Sequence, residues 1–407
     1  MTKADLETVR TAEQEKRTAV NLKIAYISDE RFPSVHTDTQ QVMKTMDALG
    51  KAGVQVDFIQ PRMWKHLSKS AAERKQNICD YYNVDGHFQI RDILLWPASD
   101  LRVEKFFHGI AAPLKAALGQ YDVVYTRNLL PLLVASGLRA PILFETYRAL
   151  PNTDPQAFRL VKLASRGSRF VGISTHSEYS RQIMIQNGIP QEMIQAIPNG
   201  FDHRDFDIHM DMTSARQALQ MSETEKIIAY TGHIRPDKGV DSLLDVAHEC
   251  SEVTMLIVGG SEGNVAQLKQ TVENRRLTNV KLVGQVPIRE VPKYLAAADL
   301  LILPPSSIPL KNATVLPMKT FTYLAAGKPI LAPDQPDTQG VLVNESNCLT
   351  VVPDVPEAAA KAVRRILNDP ALSRRLGEQA RKDASLYTWD GRAANVVRFV
   401  RRRLSRS

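Results

Sequence analysis

Pro317-Met-Lys-Thr-Phe-Thr-Tyr-Leu-Ala-Ala-Gly-Lys-Pro329 reads as a short helix with both ends marked and an apolar strand waiting behind it. Pro317 suits a first helical turn, where its missing N–H costs no hydrogen bond, and Gly327 followed by Pro329 is the matching stop. Phe321, Leu324 and Ala325 fall at i, i+3 and i+4, a core-facing stripe, while Lys319 and Thr322 share another face. Such a helix start presents free backbone N–H groups and a positive dipole end to an anion, with Lys319 close by. The next run, Pro329-Ile-Leu-Ala332, is a buried strand of the parallel-sheet kind. The stretch therefore predicts an α/β fold with a phosphate site.

The same alternation extends in both directions. Before it lie strands at Ile227–Thr231, Thr254–Val258, Val280–Val283 and Leu300–Leu303, separated by helical patterns at 239–250, 263–275 and 288–298. The amino-terminal half has its own series. Leu22–Ser28 is a strand, Asp38–Leu49 a helix and Val54–Ile59 a second strand, one βαβ unit. Strands at 122–126, 142–145, 169–173 and 193–197 follow, with helices between them at 102–118, 129–137 and 176–187. Residues 61–100 carry Trp64, Tyr81, Tyr82 and Trp96 without a clean period and receive no assignment. Residues 356–404 read as helical to the end. Strands alternating with helices demand parallel sheets, so the expectation is two doubly wound domains. The predicted division is a flexible arm at 1–20, a first domain at 21–200, a linker at 201–212, a second domain at 213–385, and a crossover helix with a basic tail at 386–407. Pro198-Asn-Gly200 is the turn that marks the boundary.

Composition sets limits on function. The 407 residues are 43% hydrophobic and 24% charged, as in a soluble globular protein, and no apolar run reaches the length of a membrane span. The first twenty residues lack an apolar signal core, which predicts a cytoplasmic protein. Cys79, Cys250 and Cys348 are too few and too scattered for a disulfide framework or a metal site. The net charge of +8 is partly concentrated in the five arginines of Arg398–Arg406, a tail that could meet an anionic membrane at its inner face or simply be solvated. Nucleic-acid binding is not expected, because no aromatic RNA signature, Cys/His finger or basic heptad accompanies the charge.

Thr231-Gly-His-Ile-Arg-Pro-Asp-Lys-Gly239 sits directly after a strand and before a helix. Gly232 permits close backbone approach, and His233, Arg235 and Lys238 can point toward a ligand. By itself this is a turn with a solvated lysine. Paired with the 317–319 helix start, it predicts a diphosphate held between Lys238 and Lys319. The first loop, Asp29–Thr37, is not the glycine-rich dinucleotide fingerprint, but it places His36 at the carboxyl end of the first strand. Arg127 and Glu145, at the ends of later strands, join His36 as acceptor-side candidates, each also readable as structural. Asp205-Phe-Asp207 is formally a metal-type Asp pair, though a polar linker makes such pairs by chance.

In order through the chain, Tyr121–Arg127, Val171–Ser174, Ile197–Gly200, Tyr230–Asp241, Leu256–Gly259, Val283–Val286, Ala298–Pro304 and Pro317–Ile330 closely resemble the family 4 (group 1) glycosyltransferases. The resemblance implies the GT-B fold, two Rossmann-like domains facing across a cleft with a carboxy-terminal helix crossing back. It implies retaining transfer from a UDP-, GDP- or ADP-sugar to an acceptor, such as a glycan or lipid-linked glycan of envelope or exopolysaccharide synthesis, with no metal or other cofactor. Lys238 matches the family's phosphate-binding lysine, Val283 and Gly284 the region lining the base, and Thr314–Lys319, including Met318, the segment holding the sugar phosphates. Two glutamates of the family pattern fall here on Thr314 and Thr322, the second being the ribose contact. The arginine partnering the lysine falls on His233, with Arg235 one turn on. These departures leave open a catalytically silent relative that binds a nucleotide sugar or a partner enzyme. An epimerase on the same fold would need acid and base groups that no obvious set supplies.

Overall fold

The computed structural model describes residues 22–64, 67–96, 102–206, 210–311 and 316–405. The arm at 1–20, Asp207 and Thr314 lie outside the described residues. The chain divides into two compact units. One runs to His176, continues over Ser180–Pro198 and takes in the last helix from Trp389; the other holds 177–179 and 199–388.

The first unit is built on β1 (Lys23–Ile27), α1 (Thr37–Lys51), β2 (Gln55–Met63), α2 (Ala71–Tyr82), β3 (Gln89–Trp96) and α3 (Val103–Leu118). Then follow β4 (Val123–Thr126), α4 (Leu129–Gly137), β5 (Ile142–Thr146), α5 (Pro155–Ala164), β6 (Phe170–Thr175), α6 (Glu178–Gln186) and β7 (Ile194–Ala196). The sheet order is β3-β2-β1-β4-β5-β6-β7, parallel throughout. Ile24, Ala25, Tyr26 and Ile27 are fully buried, as expected of a central strand covered on both faces.

The stretch at 61–100 contains structure that its composition conceals. β2 continues through Pro61 to Met63, where the register with β3 shifts, so no simple alternation survives in the sequence. α2 opens with a capping box, Ser70 and Glu73 each accepting from the other's backbone N–H.

The second unit restarts after a helical turn at His203–Phe206, inside the expected linker. It comprises α7 (Met212–Ala218), β8 (Ile227–Thr231), α8 (Asp241–Glu249), β9 (Thr254–Val258), α9 (Glu262–Asn274), β10 (Val280–Gly284), α10 (Val291–Ala297) and β11 (Leu300–Ile302). After these come α11 (Lys319–Ala326), β12 (Ile330–Pro333), β13 (Leu349–Val351), α12 (Pro356–Asn368) and α13 (Pro370–Ala384). The order β10-β9-β8-β11-β12-β13 is parallel, with β13 a strand the sequence did not disclose. The helical end is made of three helices. Asp369 closes α12 and caps α13 by accepting from Leu372 N–H at 3.0 Å, and α14 (Trp389–Leu404) belongs to the first unit, packed on α1 and β6.

Candidate functional site

In the second unit the chain leaves β8 for β9 and β10, then returns to β11 on the other side, so the strand order reverses between β8 and β11. A crevice at the carboxyl ends of such a pair is where open α/β sheets take ligands. The loops meeting there follow β8 and β11. They touch, since a side chain on Gly239 (φ +68°) would meet Ser306 Cβ at 2.7 Å.

Bare backbone lines this edge. Gly232 has φ +140° and donates its N–H to Val258 O at 2.8 Å; a Cβ there would stand 2.5 Å from Lys319 Nζ. Gly259 (φ +124°) donates to Gly284 O at 2.7 Å, and its Cβ would overlap Gly232 O at 2.1 Å. The backbone contact admits only glycine at 259, and the positive φ favours it at 232.

The Lys319 amine lies over the Tyr230 ring, 3.6 Å from its centroid, and no carboxylate among the described residues pairs with it. The residue keeps some surface, yet burial pushes its pKa well below the ordinary lysine range, with the charge of Lys238 adding to the fall. The charges of the two lysines therefore bear on each other at this edge. Tyr230 OH donates to His233 O at 2.9 Å, and Tyr323 OH accepts from Thr231 N–H at 2.9 Å, tying α11 to the end of β8. Neither tyrosine was legible as a site residue, because each acts across the fold.

α11 begins at Lys319 with Met318 as its cap residue, two positions later than Pro317 suggested. Thr320 and Phe321 N–H bond Pro317 O and Met318 O, leaving the N–H groups of Met318 and Lys319 without a hydrogen bond among the described residues. Gly327 ends the helix at φ +65°, as expected. Thr322 donates its hydroxyl to Lys319 O at 2.8 Å. Lys238 sits in a single turn at Pro236–Lys238, its Nζ 3.4 Å from Asp237. Arg235 forks onto the same carboxylate at 2.8 and 2.6 Å, which, with Lys238, lowers the Asp237 pKa to about 2. Arg235 is thus engaged within its own loop. Val283 stands exposed on the edge strand β10, next to Gly284 at φ +83°. Two cations, two available N–H groups and a glycine edge can hold a diphosphate.

In the first unit, His36 caps α1 with its ring exposed. Glu145 is corrected from an acceptor-side group to a buried hub. It accepts from Gln41 at 2.8 Å, Arg392 at 3.0 Å and Tyr125, and meets His176 Nε2 at 2.5 Å. Against the cost of burial, Arg392 holds the Glu145 pKa below the carboxylate range; burial lowers His176 to about 4. Arg127 is likewise held inward, donating to Gln41 Oε1 at 2.5 Å and Asp38 O at 3.3 Å. A residue missed by the sequence reading is Asp29, at the equivalent reversal between β1 and β4. It accepts from Asn128 Nδ2 at 2.8 Å, and burial raises its pKa to about 6. The one trio of metal-type groups among the described residues, Asp47, Asp85 and His87, has Asp47 Oδ1 already accepting from Gly86 and His87 N–H.

Residues 211–383 match the family model for glycosyl transferases group 1. The second unit carries a group 1 glycosyltransferase domain. An uncharacterized glycosyltransferase of Methanocaldococcus jannaschii is 21% identical over 296 residues, 68% of this chain and 74% of that protein. A D-inositol 3-phosphate glycosyltransferase of Jonesia denitrificans is 24% identical over 225 residues, and the match spans only 52% of either chain. Among solved structures, sucrose-phosphate synthase of Thermosynechococcus elongatus superposes with a TM-score of 0.74 at 20% identity, over 95% of this chain and all of that one. Anabaena HepE, solved with UDP and glucose, gives 0.69 at 18% identity over 93% and 99%. The fold is that of the GT-B glycosyltransferases, and with its group 1 domain the chain is a transferase-type enzyme. The silent-binder alternative is not favoured, since the curated relatives named here are transferases.

Proposed function

We propose that the carboxyl edge of the second sheet binds a nucleoside diphosphate sugar and transfers its sugar, with retention and without a metal, to a glycan or lipid-linked glycan acceptor. The observation that carries the reading is the Lys319 amine, partly buried against Gly232 and Tyr230 with no counter-ion among the described residues. Lys238 and Lys319 take the diphosphate, the N–H groups of Met318 and Lys319 add donors, and Val283 with Gly284 borders the base. Charge developing on the departing diphosphate is met by cations already in place, so little reorganisation accompanies bond breaking. Thr322, its hydroxyl turned to Lys319 O, is a weaker ribose contact than the glutamate of the family pattern. Asp237 keeps Arg235 within the loop, which leaves Arg235 and His233 as assisting groups. UDP is the first nucleotide to try, because HepE was solved with it.

Thermal stabilisation by UDP, GDP and ADP in parallel tests the site: a ligand at 100 times its Kd adds about 2.7 kcal/mol. One nucleotide should raise the Tm of the native protein and fail to raise that of Lys238→Ala. Indifference to all three nucleotides would overturn the reading. Retention is tested separately by the anomeric NMR signal of the first product.

A further inference from the structure

The second sheet has an opposite edge, where its strands begin. Lys226 stands just before β8, Asp299 just before β11, and Lys328 and Pro329 just before β12. These three strands are neighbours, and with the junction of α12 and α13 they border a cavity of about 290 Å³. β8 has five residues, so about 17 Å separates this edge from the loop that carries Gly232 and Lys238. A diphosphate at the carboxyl edge does not reach it.

One wall of the cavity is apolar, built from Pro329, Ile366, Leu367 and Pro370. The rest is cationic. Lys226, Lys328 and Arg374 line it together with Ser373, and Asp299 is the one acid among the described lining residues. That acid is already engaged: one oxygen accepts from Arg216 at 2.7 Å and Ile227 N–H at 2.8 Å, and Lys226 Nζ stands 3.7 Å from the other. Nearby negative ends are covered as well. Arg381 donates to Ala326 O at 3.1 Å at the close of α11, and Asp369 accepts from Leu372 N–H at the start of α13. Neither Lys328 nor Arg374 has an ion pair or side-chain hydrogen bond among the described residues. Burial lowers the Lys328 pKa to about 8; the pull of Asp299 opposes the fall, and Arg216 and Arg381 add to it. Three cations beside one acid that Arg216 neutralises leave an excess of positive charge, which suits a dianion better than a monoanion.

We propose that this cavity is a second ligand site, for a small phosphate monoester: the dianion lies among Lys226, Lys328 and Arg374, and the organic part rests on the apolar wall. The volume is at the lower end of the range of about 300–1,000 Å³ for small-molecule sites, the size for a compact phosphorylated metabolite and not for a second nucleotide sugar.

The test is calorimetric titration of the full-length protein with phenyl phosphate, with inorganic phosphate and benzoate as comparisons. No nucleotide is present, so the result does not depend on the donor reading. Phenyl phosphate should bind about ten-fold tighter than inorganic phosphate, through the apolar wall, and about ten-fold tighter than benzoate, through its second charge. Lys328→Met removes a cation that has no partner, so it should keep the native Tm and weaken binding about ten-fold or more. The exposed Arg374→Gln should weaken it in the same direction. In Lys238→Ala the binding should persist, and the amide resonances of Gly327 and Ser373 should shift with added phenyl phosphate. Loss of binding in Lys238→Ala, or shifts confined to Gly232 and Lys319, would overturn the proposal. Native affinity in both Lys328→Met and Arg374→Gln, or benzoate binding as tightly as phenyl phosphate, would overturn it too.

Discussion

Lys319→Met separates the energetics of the empty site from those of the occupied one. The substitution keeps a long chain on the Tyr230 ring and removes the charge. In the nucleotide-free protein no carboxylate among the described residues offsets the burial of the ammonium, whereas a thioether on an aromatic ring gains about 0.3–1.5 kcal/mol. The variant should therefore be as stable as the native chain or more so. Toward a diphosphate the change deletes a charge-assisted hydrogen bond of about 1.5–3 kcal/mol, and at about 1.4 kcal/mol per decade the affinity falls about 10- to 140-fold. Proton linkage supplies an independent readout. The folded-state pKa of Lys319 lies below its unfolded value of about 10.4, so between the two the unfolded chain binds more protons and stability rises with pH. Lys319→Met should flatten that rise. In the pH range between the folded and unfolded pKa values of Lys319, nucleotide binding to the native protein should take up a proton, visible as a calorimetric enthalpy that depends on the ionisation enthalpy of the buffer. A variant that binds nucleotide as the native protein does, or that is destabilised without ligand, would refute the reasoning.

The other predictions concern backbone, anchor and hub. Gly232→Ala should destabilise by about 1–3 kcal/mol through its positive φ, because the clashing Lys319 amine can swing away; Gly259→Ala should cost more, since it meets the Gly232 carbonyl at 2.1 Å, and denaturant midpoints give the order. Tyr323→Phe leaves Thr231 N–H without its acceptor, a loss of about 1–3 kcal/mol, with weaker nucleotide binding by calorimetry. Arg392→Met strips Glu145 of a buried partner and should cost about 3–5 kcal/mol, read from urea unfolding. His176 and His108 both titrate near 4 when folded, so from about pH 6.5 down to about 4 the unfolded chain binds more protons and stability falls. His176→Gln should shrink that slope by up to about 1.4 kcal/mol per pH unit.

Strand and helix alternation was legible because parallel strands are short apolar runs, and both series of core strands were found at nearly their true limits. Residues 61–100 failed for a local reason, Pro61 and a register shift inside β2, although the Ser70–Glu73 capping box was there to be read. β13 has only three residues, too few for a period to show. At the site, the loop at 231–239 and the 317–327 helix could be read because glycine and proline mark backbone shape directly. Lys319 was placed there from chain position, but its seat on Tyr230, 89 residues earlier, could not be. Glu145 is the opposite case. A carboxylate at a strand end can be read as acceptor-side or as structural until its partner Arg392, 247 residues later, is brought against it.

The two units carry the same order of their first strands, with reversals between β1 and β4 and between β8 and β11, yet the chemistry at the two reversals differs. In the first unit the charged groups there are already paired: Glu30 with Lys105 at 2.5 Å and Arg102 at 3.0 Å, Asp29 with Asn128 at 2.8 Å. An incoming phosphate would have to break those contacts and approach two carboxylates. In the second unit, side chains are missing where a ligand would lie, at Gly232 and Gly259, and no acid among the described residues holds Lys319. A shared topology thus offers two crevices, of which only the second is chemically fitted to an anion. Moving a carboxylate into it, as in Ser306→Asp beside Gly239, should place a negative charge at this edge and compete with nucleotide. The amide resonances of Met318 and Lys319 should then no longer shift on adding UDP; if they shift as in the native protein, the diphosphate lies elsewhere.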